Sequence, residues 1–296
     1  GPPESMRVSV LSLAFLGGAA AFAPLPAPTS RVSIAGRVAP TCAVSQNASP
    51  ILQPFQERRA LKVISGLHNF DEKLVKSVVG AANAGGATLV DIACHPDLVK
   101  LARSLGNVPV CVSAVEPEKF VAAVRAGADM VELGNYDSFY LEGRVFSAEE
   151  VLALTVETRE RFGDSLPLSV TIPHTLPLDE QVALAMELER AGADVIQTEG
   201  GMPMKPSAGG IQGLIEKAAP TLAATAAISR AVQIPVMAAS GISAITAPLA
   251  LAAGASGVGV GSAINKLNSD IAMLAAVRQI NEAMSVESAR VRSRAY

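Results

Sequence analysis

The sequence contains no tryptophan, and aromatic residues make up only 4% of its 296 residues. Few rings are therefore available to stack on nucleic-acid bases. The 24 basic and 27 acidic residues give a formal net charge of −3. That charge removes the general electrostatic attraction that a nucleic acid or an anionic membrane surface would need. We therefore expect no nucleic-acid partner.

Cysteine is also scarce, with three residues at 42, 94 and 111 and no CxxC pair. This spacing excludes a disulfide framework and a thiolate metal site. The sequence also has no HExxH and no His-x-His. We therefore expect no dedicated transition-metal site, although Mg²⁺ held by a carboxylate and a substrate phosphate remains open. We expect Cys94 to be a small packed residue rather than a nucleophile.

Acidic residues are almost absent from the first 45 positions, which hold one acidic residue and three arginines. From Met6, the apolar stretch at residues 8–16 and the small residues 17–21 follow the pattern of a signal peptide. Residues 22–45 are acid-free and contain Ser, Thr and Arg, as is typical of a transit peptide. We therefore predict a cleaved bipartite presequence over residues 1–45, with the signal peptide at about 6–21. The alternative is a buried N-terminal helix.

The junction between the two signals, Ala21 to Pro24, reads Ala-Phe-Ala-Pro. It resembles the bipartite presequence of algae whose plastids descend from an engulfed red alga. This resemblance implies import into the plastid stroma. The remainder, residues 46–296, is then the functional domain.

Short β-branched runs alternate with helical segments after Pro54. Ala-Gly-Ala-Asp recurs at 126–129 and 191–194, with a relative at 253–256, each time before such a run. We expect these glycines to end helices. The pattern predicts an α/β fold, a single (βα)8 TIM barrel, with a doubly wound sheet as the alternative. The predicted strands are residues 61–65, 88–92, 108–113, 130–133, 168–172, 195–198, 235–239 and 257–260.

No charged residue occurs between positions 231 and 265. Prolines and glycines interrupt this stretch, so we do not interpret it as a membrane span. The predicted helices at 220–229 and 243–253 are uncharged all round, whereas an outer barrel helix normally shows charge to water. A homo-oligomer contact through these two helices is one explanation, and packing under a C-terminal helix is the other.

Polar side chains collect at the predicted carboxyl ends of the strands, where the chemistry of TIM barrels takes place. The three histidines follow strands one, two and five, and several carboxylates lie within strands that are otherwise apolar. Imidazoles and carboxylates there suit acid–base catalysis, with the alternatives of loop or cap histidines and of a structural hydrogen-bond network. The candidate catalytic residues are His68, Asp91, Glu132, His174 and Glu199.

Glycine-rich turns follow the last two strands and resemble the phosphate site shared by flavin-mononucleotide (FMN) and sugar-phosphate barrels. A second glycine pair follows strand six, in a segment up to residue 210 that could close as a lid. Glycines that merely permit tight turns are the alternative. The candidate cofactor-binding residues are Gln197, Gly200, Gly201, Lys205, Ser240, Gly241, Ile242, Gly259, Gly261 and Ser262.

Lys62 lies at the start of predicted strand one, and no other lysine falls within a predicted strand. A Schiff-base aldolase built on a barrel-strand lysine is therefore not expected.

Several segments together resemble one family. They are His-Asn-Phe-Asp at 68–71, Asp-Ile-Ala-Cys-His-Pro at 91–96, residues 131–140, Val-Thr-Ile-Pro-His at 170–174 and Gln-Thr-Glu-Gly-Gly at 197–201. The chain resembles the hypothetical chloroplast reading frame twenty-three family of cyanobacteria and red-lineage plastids, over residues 54–280. The resemblance implies a barrel and a plastid location, and it carries over no catalytic residue.

Three functions remain open on the sequence. The first is FMN-dependent redox chemistry, with Gly241, Gly261 and Ser262 on the phosphate and Gln197 near the flavin ring. The second is a lyase, isomerase or epimerase acting on a small phosphorylated metabolite, with Glu132, Glu199 or His174 as acid or base. The third is a non-catalytic sensor or assembly protein that keeps the ligand site. All three include a small phosphorylated ligand.

Overall fold

The protein is a closed eight-stranded parallel barrel in the computed structural model, which describes residues 49–201 and 206–294. Neighbouring strands follow chain order, and β8 pairs with β1 to close the barrel. The predicted TIM barrel is confirmed, and every predicted strand lies within two residues of an observed one. The strands are β1 (Ala60–Ile64), β2 (Leu89–Ala93), β3 (Val110–Ala114), β4 (Met130–Leu133), β5 (Leu168–Thr171), β6 (Val195–Thr198), β7 (Val236–Ala239) and β8 (Gly257–Val260).

Helices connect the strands on the outside of the barrel. In the described ranges, no helix is sufficiently long and apolar to span a membrane. Short 3₁₀ turns cover Pro50–Leu52 and Pro117–Lys119. The helices are α1 (Gln53–Gln56), α2 (Glu72–Gly85), α3 (Pro96–Leu105), α4 (Phe120–Arg125), α5 (Asp137–Tyr140), α6 (Ala148–Phe162), α7 (Leu178–Arg190), α8 (Gly210–Ile228), α9 (Ala247–Ala252), α10 (Ser262–Asn265) and α11 (Asp270–Arg294).

The two Ala-Gly-Ala-Asp loops, which join α4 to β4 and α7 to β6, have the same structure. Gly127 has a φ of 109°, which favours glycine, and its carbonyl accepts a hydrogen bond from Arg103 Nε at 2.9 Å. Asp129 Oδ2 accepts the backbone N–H of Val110 at 2.7 Å and pairs with Arg103. The loop that precedes β4 therefore holds the start of β4 beside the start of β3. The second copy consists of Arg159, Gly192, Asp194 and Leu168.

A separate apolar cluster fills the barrel at the amino-terminal ends of its strands. Phe55 of α1 is 1% exposed and packs there beneath the first inward-facing layer of side chains. Burial of such side chains is the main favourable contribution to folding. Helix α1 therefore covers this end of the barrel. The other members of the cluster are Ile51, Ala60, Leu89, Cys111, Met130, Val195 and Met237.

Two helices differ from the sequence expectation. The helix predicted at 220–229 begins ten residues earlier, because α8 starts at Gly210 and carries Pro220 inside it. The helix predicted at 243–253 is shorter, since α9 begins at Ala247. Helix α9 packs against α8 and α11, as the packing alternative expects. A homo-oligomer through these helices stays a prediction. The predicted presequence, residues 1–45, and Lys205 lie outside the described residues.

Candidate active site at the carboxyl ends of the strands

A layer of charged side chains crosses the middle of the barrel. Lys62 on β1, Asp91 on β2 and Glu132 on β4 are no more than 1% exposed. Lys62 Nζ donates a hydrogen bond to Glu132 Oε2 across the barrel. Charges this deep are costly unless they are paired, and the lysine compensates the carboxylates. The observed strand places Lys62 in the centre of β1 rather than at its start.

Uncharged side chains complete the hydrogen bonds of this layer. Asp91 Oδ1 accepts the hydroxyl of Ser113 at 2.6 Å, and Asp91 Oδ2 accepts Asn135 Nδ2 at 3.1 Å. Glu132 Oε1 accepts both Asn135 Nδ2 at 3.0 Å and Gln197 Nε2 at 2.8 Å. The hydrogen bond from Gln197 Nε2 to Glu132 fixes the orientation of the Gln197 amide. Its Oε1 is shielded from solvent and has no partner in the described chain.

The electrostatics of the layer favour a protonated Lys62. Burial acts to lower the pKa of Lys62, but the charges of Glu132 and Asp91 outweigh it, and the pKa is raised. Burial raises the pKa of Asp91 to about 7, although the charge of Lys62 opposes the shift. A Schiff-base lysine must lose its proton before it attacks. The layer therefore suits charge compensation better than attack by an amine.

A cavity of about 260 Å³ opens above this layer at the ends of β6, β7 and β8. Seven of the ten residues proposed for cofactor binding line it: Gln197, Ser240, Gly241, Ile242, Gly259, Gly261 and Ser262. Glu199, one of the catalytic candidates, lines it as well. Gly200 and Gly201 lie beside it, since the Gly201 carbonyl accepts the Ser240 hydroxyl at 3.4 Å. Two lysines, Lys217 and Lys266, line the same cavity.

The two lysines were missed by the sequence analysis. Lys217 lies within α8, which was expected to begin only at residue 220, and Lys266 directly follows α10. Neither forms an ion pair within the part of the chain that the structure describes. Helix α10 has four residues, a single turn, so its dipole contributes little. The positive charge of the cavity therefore comes from these lysines.

The structure requires glycine at one position of the cavity wall but not at another. Gly241 has a φ of 72°, and a Cβ there would lie 2.4 Å from the Lys217 carbonyl oxygen, so the fold itself requires glycine. A Cβ on Gly261 would meet nothing closer than the Ile64 carbonyl oxygen at 3.5 Å, an ordinary contact. The fold therefore tolerates a side chain at Gly261. Such a side chain would occupy space at the cavity wall.

Glu199 directly follows β6 and forms hydrogen bonds with two side chains. Its Oε2 lies 3.0 Å from His174 Nδ1 and accepts the Tyr140 hydroxyl at 3.0 Å. Glu199 is 6% exposed, whereas the His174 side chain is 25% exposed and can exchange protons with solvent. The hydrogen bond to Glu199 raises the pKa of His174, although burial opposes it. Burial also raises the pKa of the Tyr140 hydroxyl.

Asp137, the first residue of α5, adds a second carboxylate to this group. Burial, followed by the charge of Glu199, raises its pKa to about 6. Ligand atoms of Asp137, His174 and Glu199 lie within 4.8 Å of one another, so the three could hold a metal ion. Without a metal, a carboxyl with a pKa near 6 beside an imidazole can donate and accept protons near neutral pH.

The remaining candidates lie apart from this group. Asp91 and Glu132 are buried beneath the cavity and do not line it. His68 is exposed and packs its ring edge on Phe139, with centroids 5.0 Å apart. His95 accepts the backbone N–H of Asp97 at 3.3 Å and caps α3, which is the alternative given for it.

Cys94 is half-buried at the end of β2. Burial raises its pKa to about 12. A thiol of such a high pKa carries almost no thiolate at neutral pH. Its packing role agrees with the expectation.

Solved structures confirm the fold. A thiamine phosphate pyrophosphorylase from Pyrococcus furiosus superimposes with a TM-score of 0.52 and 20% identity, over 78% of this chain and 98% of that one. A 3-hexulose-6-phosphate synthase superimposes with a TM-score of 0.54 and 16% identity, over 76% of this chain and 99% of that one. At these identities the likeness establishes a shared barrel only.

Sequence relatives are much closer. The uncharacterized protein ycf23 of Pyropia yezoensis is 40% identical over 237 residues, covering 80% of this chain and 86% of the relative. The ycf23 protein of Cyanophora paradoxa is 43% identical over 228 residues, covering 77% and 93%. The family model described as Protein of unknown function (DUF561) matches residues 46–290. The chain therefore belongs to the DUF561 family, together with the ycf23 proteins.

Proposed function

We propose that the protein is an enzyme acting on a small phosphorylated metabolite whose phosphate binds in the 260 Å³ cavity. The observation that carries this proposal is the pair Lys217 and Lys266, which line the cavity and form no ion pair in the described ranges. Lysine binds phosphate as a point charge. Ser240 and Ser262 line the same cavity, and the Ser262 hydroxyl would donate a hydrogen bond to a phosphate oxygen.

The acid and base of the proposed reaction are Glu199, His174 and Asp137. Glu199 and Asp137 line the phosphate cavity, and His174 contacts Glu199 from its solvent side. A phosphate held at one end of the ligand fixes the carbon and oxygen atoms beside these groups. The arrangement suits proton transfer in a lyase, isomerase or epimerase reaction. Asp91 and Glu132 act from below by holding Asn135 and Gln197.

Binding is tested by thermal unfolding of the full chain with inorganic phosphate. We expect saturating phosphate to raise the Tm by about 3 °C or more, because a ligand of the folded state stabilises it. The Lys217→Gln/Lys266→Gln variant should lose most of this shift. The matched control is Lys76→Gln/Lys100→Gln, which changes two exposed lysines that form surface ion pairs. An equal shift in both double variants would contradict the proposed phosphate site.

Catalysis is tested by following deuterium exchange into phosphorylated hydroxy-aldehydes and hydroxy-ketones by ¹H NMR in D₂O. We expect exchange by the wild type and a loss of about 10²-fold or more in Glu199→Gln, the usual contribution of a general acid or base. Phosphate binding without any exchange or turnover would favour the non-catalytic sensor or assembly protein.

A second candidate function is FMN-dependent redox chemistry. The observation that favours it is Gln197 Oε1, which has no hydrogen-bond partner among the described residues. This acceptor lies beside the phosphate cavity and would fit a ring N–H. In that case Gly241, Gly261 and Ser262 would surround the FMN phosphate. Reconstituted protein would then show flavin absorbance near about 450 nm together with the added mass of FMN. A colourless protein after incubation with FMN would exclude this candidate.

We also propose that the protein functions in the plastid stroma. The family match to the ycf23 proteins of Pyropia yezoensis and Cyanophora paradoxa supports a plastid role, and residues 1–45 carry the sequence features of an import signal. A fluorescent protein fused after residue 45 should accumulate in the stroma. Deletion of residues 6–21 should leave it in the cytosol.

A further inference from the structure

A second cavity adjoins the phosphate cavity on the side of β1. Its volume is about 520 Å³, and among the residues lining it are Ser65, His68, Asn69, Ser138 and Asn265. The two cavities share part of their walls, so a single small ligand can extend from one into the other. The shared residues are Ile64, Asn135, Asp137, Gly261 and Ser262.

The second cavity has a different chemistry from the first. No lysine or arginine occurs among the described residues that line it, and its one carboxylate, Asp137, carries negative charge when ionised. A second phosphate would therefore meet no compensating charge. The other polar side chains are hydroxyls, amides and one imidazole, which exchange hydrogen bonds with uncharged groups.

Three polar atoms beside this cavity are shielded from solvent and have no partner in the described part of the chain. They are Asp137 Oδ1, Ser138 Oγ and Asn265 Oδ1. The Asn265 amide is held in one orientation, because its Nδ2 donates to the carbonyls of Ile64 at 2.7 Å and Ser65 at 3.1 Å. Two of the three atoms, those of Asp137 and Asn265, are acceptors. Buried polar groups without partners are costly, so a ligand that donates hydrogen bonds would be favoured here.

We propose that the second cavity binds a chain of hydroxyl groups at the end of the ligand away from the phosphate. The ligand is then a phosphorylated polyhydroxy compound of the sugar-phosphate class. This inference rests on the proposed function, which places the phosphate beside Lys217 and Lys266. The carbons at the junction of the cavities would lie against Asp137 and Asn135.

The polar lining distinguishes this ligand from a flavin. Pockets that bury drug-sized ligands are lined predominantly by hydrophobic and aromatic side chains. Apart from the imidazole of His68, no aromatic side chain is among the described residues that line the second cavity. Hydroxyl groups match the acceptors and hydroxyls of this wall, and an isoalloxazine ring does not.

Isothermal titration of the full chain with three probes tests the inference. The probes are ribose 5-phosphate, n-pentyl phosphate, which lacks the hydroxyls, and inorganic phosphate. We expect ribose 5-phosphate to bind at least about tenfold more tightly than pentyl phosphate, because several new hydrogen bonds form. Equal affinities for these two compounds would overturn the inference and leave the phosphate site intact. Binding of none of the three would overturn the proposed function as well.

Two variants at Ser138 locate the effect. Ser138→Ala removes one hydroxyl and should lower the affinity for ribose 5-phosphate about threefold to tenfold. The affinity for inorganic phosphate should not change. Ser138→Leu fills part of the second cavity and should remove the preference for ribose 5-phosphate altogether. Ser104→Ala, which removes an exposed hydroxyl on α3, is the matched control and should change neither affinity. A preference that survives Ser138→Leu would place the hydroxyls elsewhere.

Discussion

Lys62 on β1 and Glu132 on β4 form an ion pair across the inside of the barrel, with side-chain exposures of 1% and 0%. The strands that carry them are not neighbours, so the pair spans the interior rather than one ladder of the sheet. Asp91 on β2 shares the positive charge of the lysine. One lysine thus compensates two buried carboxylates directly beneath the candidate active site.

Replacing the lysine should therefore destabilise the barrel strongly. Lys62→Met leaves the carboxylates without their cation, and we expect the free energy of unfolding to fall by about 3–5 kcal/mol. Urea unfolding at pH 7.5 measures this loss. Lys76→Met, at an exposed lysine, is the control and should cost less than about 0.5 kcal/mol. A similarly small cost for Lys62→Met would contradict the role of Lys62 as the cation that compensates the two buried carboxylates.

Asp91 should make the stability of the protein depend on pH. Burial raises its pKa to about 7 in the folded state, above the ordinary value of the unfolded chain. The folded state then holds the proton more tightly, so the stability from this group is lost as the pH rises towards 7. The Asp91→Asn variant has no ionisable group at this position, so it does not lose this stability as the pH rises. The free energy of unfolding of the variant, relative to that of the wild type, should therefore rise by about 2 kcal/mol between pH 5 and pH 8. Urea unfolding at the two pH values measures this difference. A difference that does not change with pH would show that Asp91 titrates normally.

The bond between Glu199 and His174 can be tested without knowing the substrate. Because this hydrogen bond raises the pKa of His174, Glu199→Gln should shift the His174 titration to lower pH. The chain has only three histidines, so their ring signals can be followed by NMR, with His174→Gln for assignment. The signals of His68 and His95 serve as internal references. An unchanged His174 titration would remove Glu199 as its partner.

The glycines Gly241 and Gly261 should respond in opposite ways to alanine. Gly241→Ala introduces a Cβ at a φ of 72° and 2.4 Å from a carbonyl oxygen, so we expect a loss of about 1–3 kcal/mol in stability. Gly261→Ala should change stability by no more than about 0.5 kcal/mol. It should nevertheless lower the affinity for inorganic phosphate at least about tenfold, since the methyl group lies at the cavity wall. Urea unfolding and titration calorimetry separate the two effects. Undiminished phosphate affinity in Gly261→Ala would move the ligand away from β8.

Most of the barrel was predictable because its signals are local. The β-branched runs mark the strands, and the glycines of the Ala-Gly-Ala loops, such as Gly127 and Gly192, end the helices with positive φ. The start of α8 was not predictable, because Gly209, Gly210 and Pro220 all normally interrupt helices. Buried residues of α8 such as Ala218 and Ala224 pack against the barrel and override those preferences.

The site was predictable where its residues come from strand ends. Gln197 and Glu199 share a face by the period of two, and the structure places both at the cavity. Lys217 and Lys266 reach the same cavity from helical segments, and no spacing rule links them to the strands. The pairing of Lys62 with Glu132 was also hidden, since it depends on which strands face each other across the barrel. Its only signal was a lysine within an apolar strand.

The packing of α1 also limits how far the chain can be shortened from its amino-terminal side. Ile51 and Phe55 seal the amino-terminal end of the barrel, and Phe55 is 1% exposed. Cleavage after Phe55 would remove this seal and expose the apolar cluster to water, which favours unfolding and aggregation. If the predicted presequence is cleaved, an intact barrel therefore requires the cut to lie upstream of Pro50. The protein's own packing thus defines the shortest mature chain that remains stable.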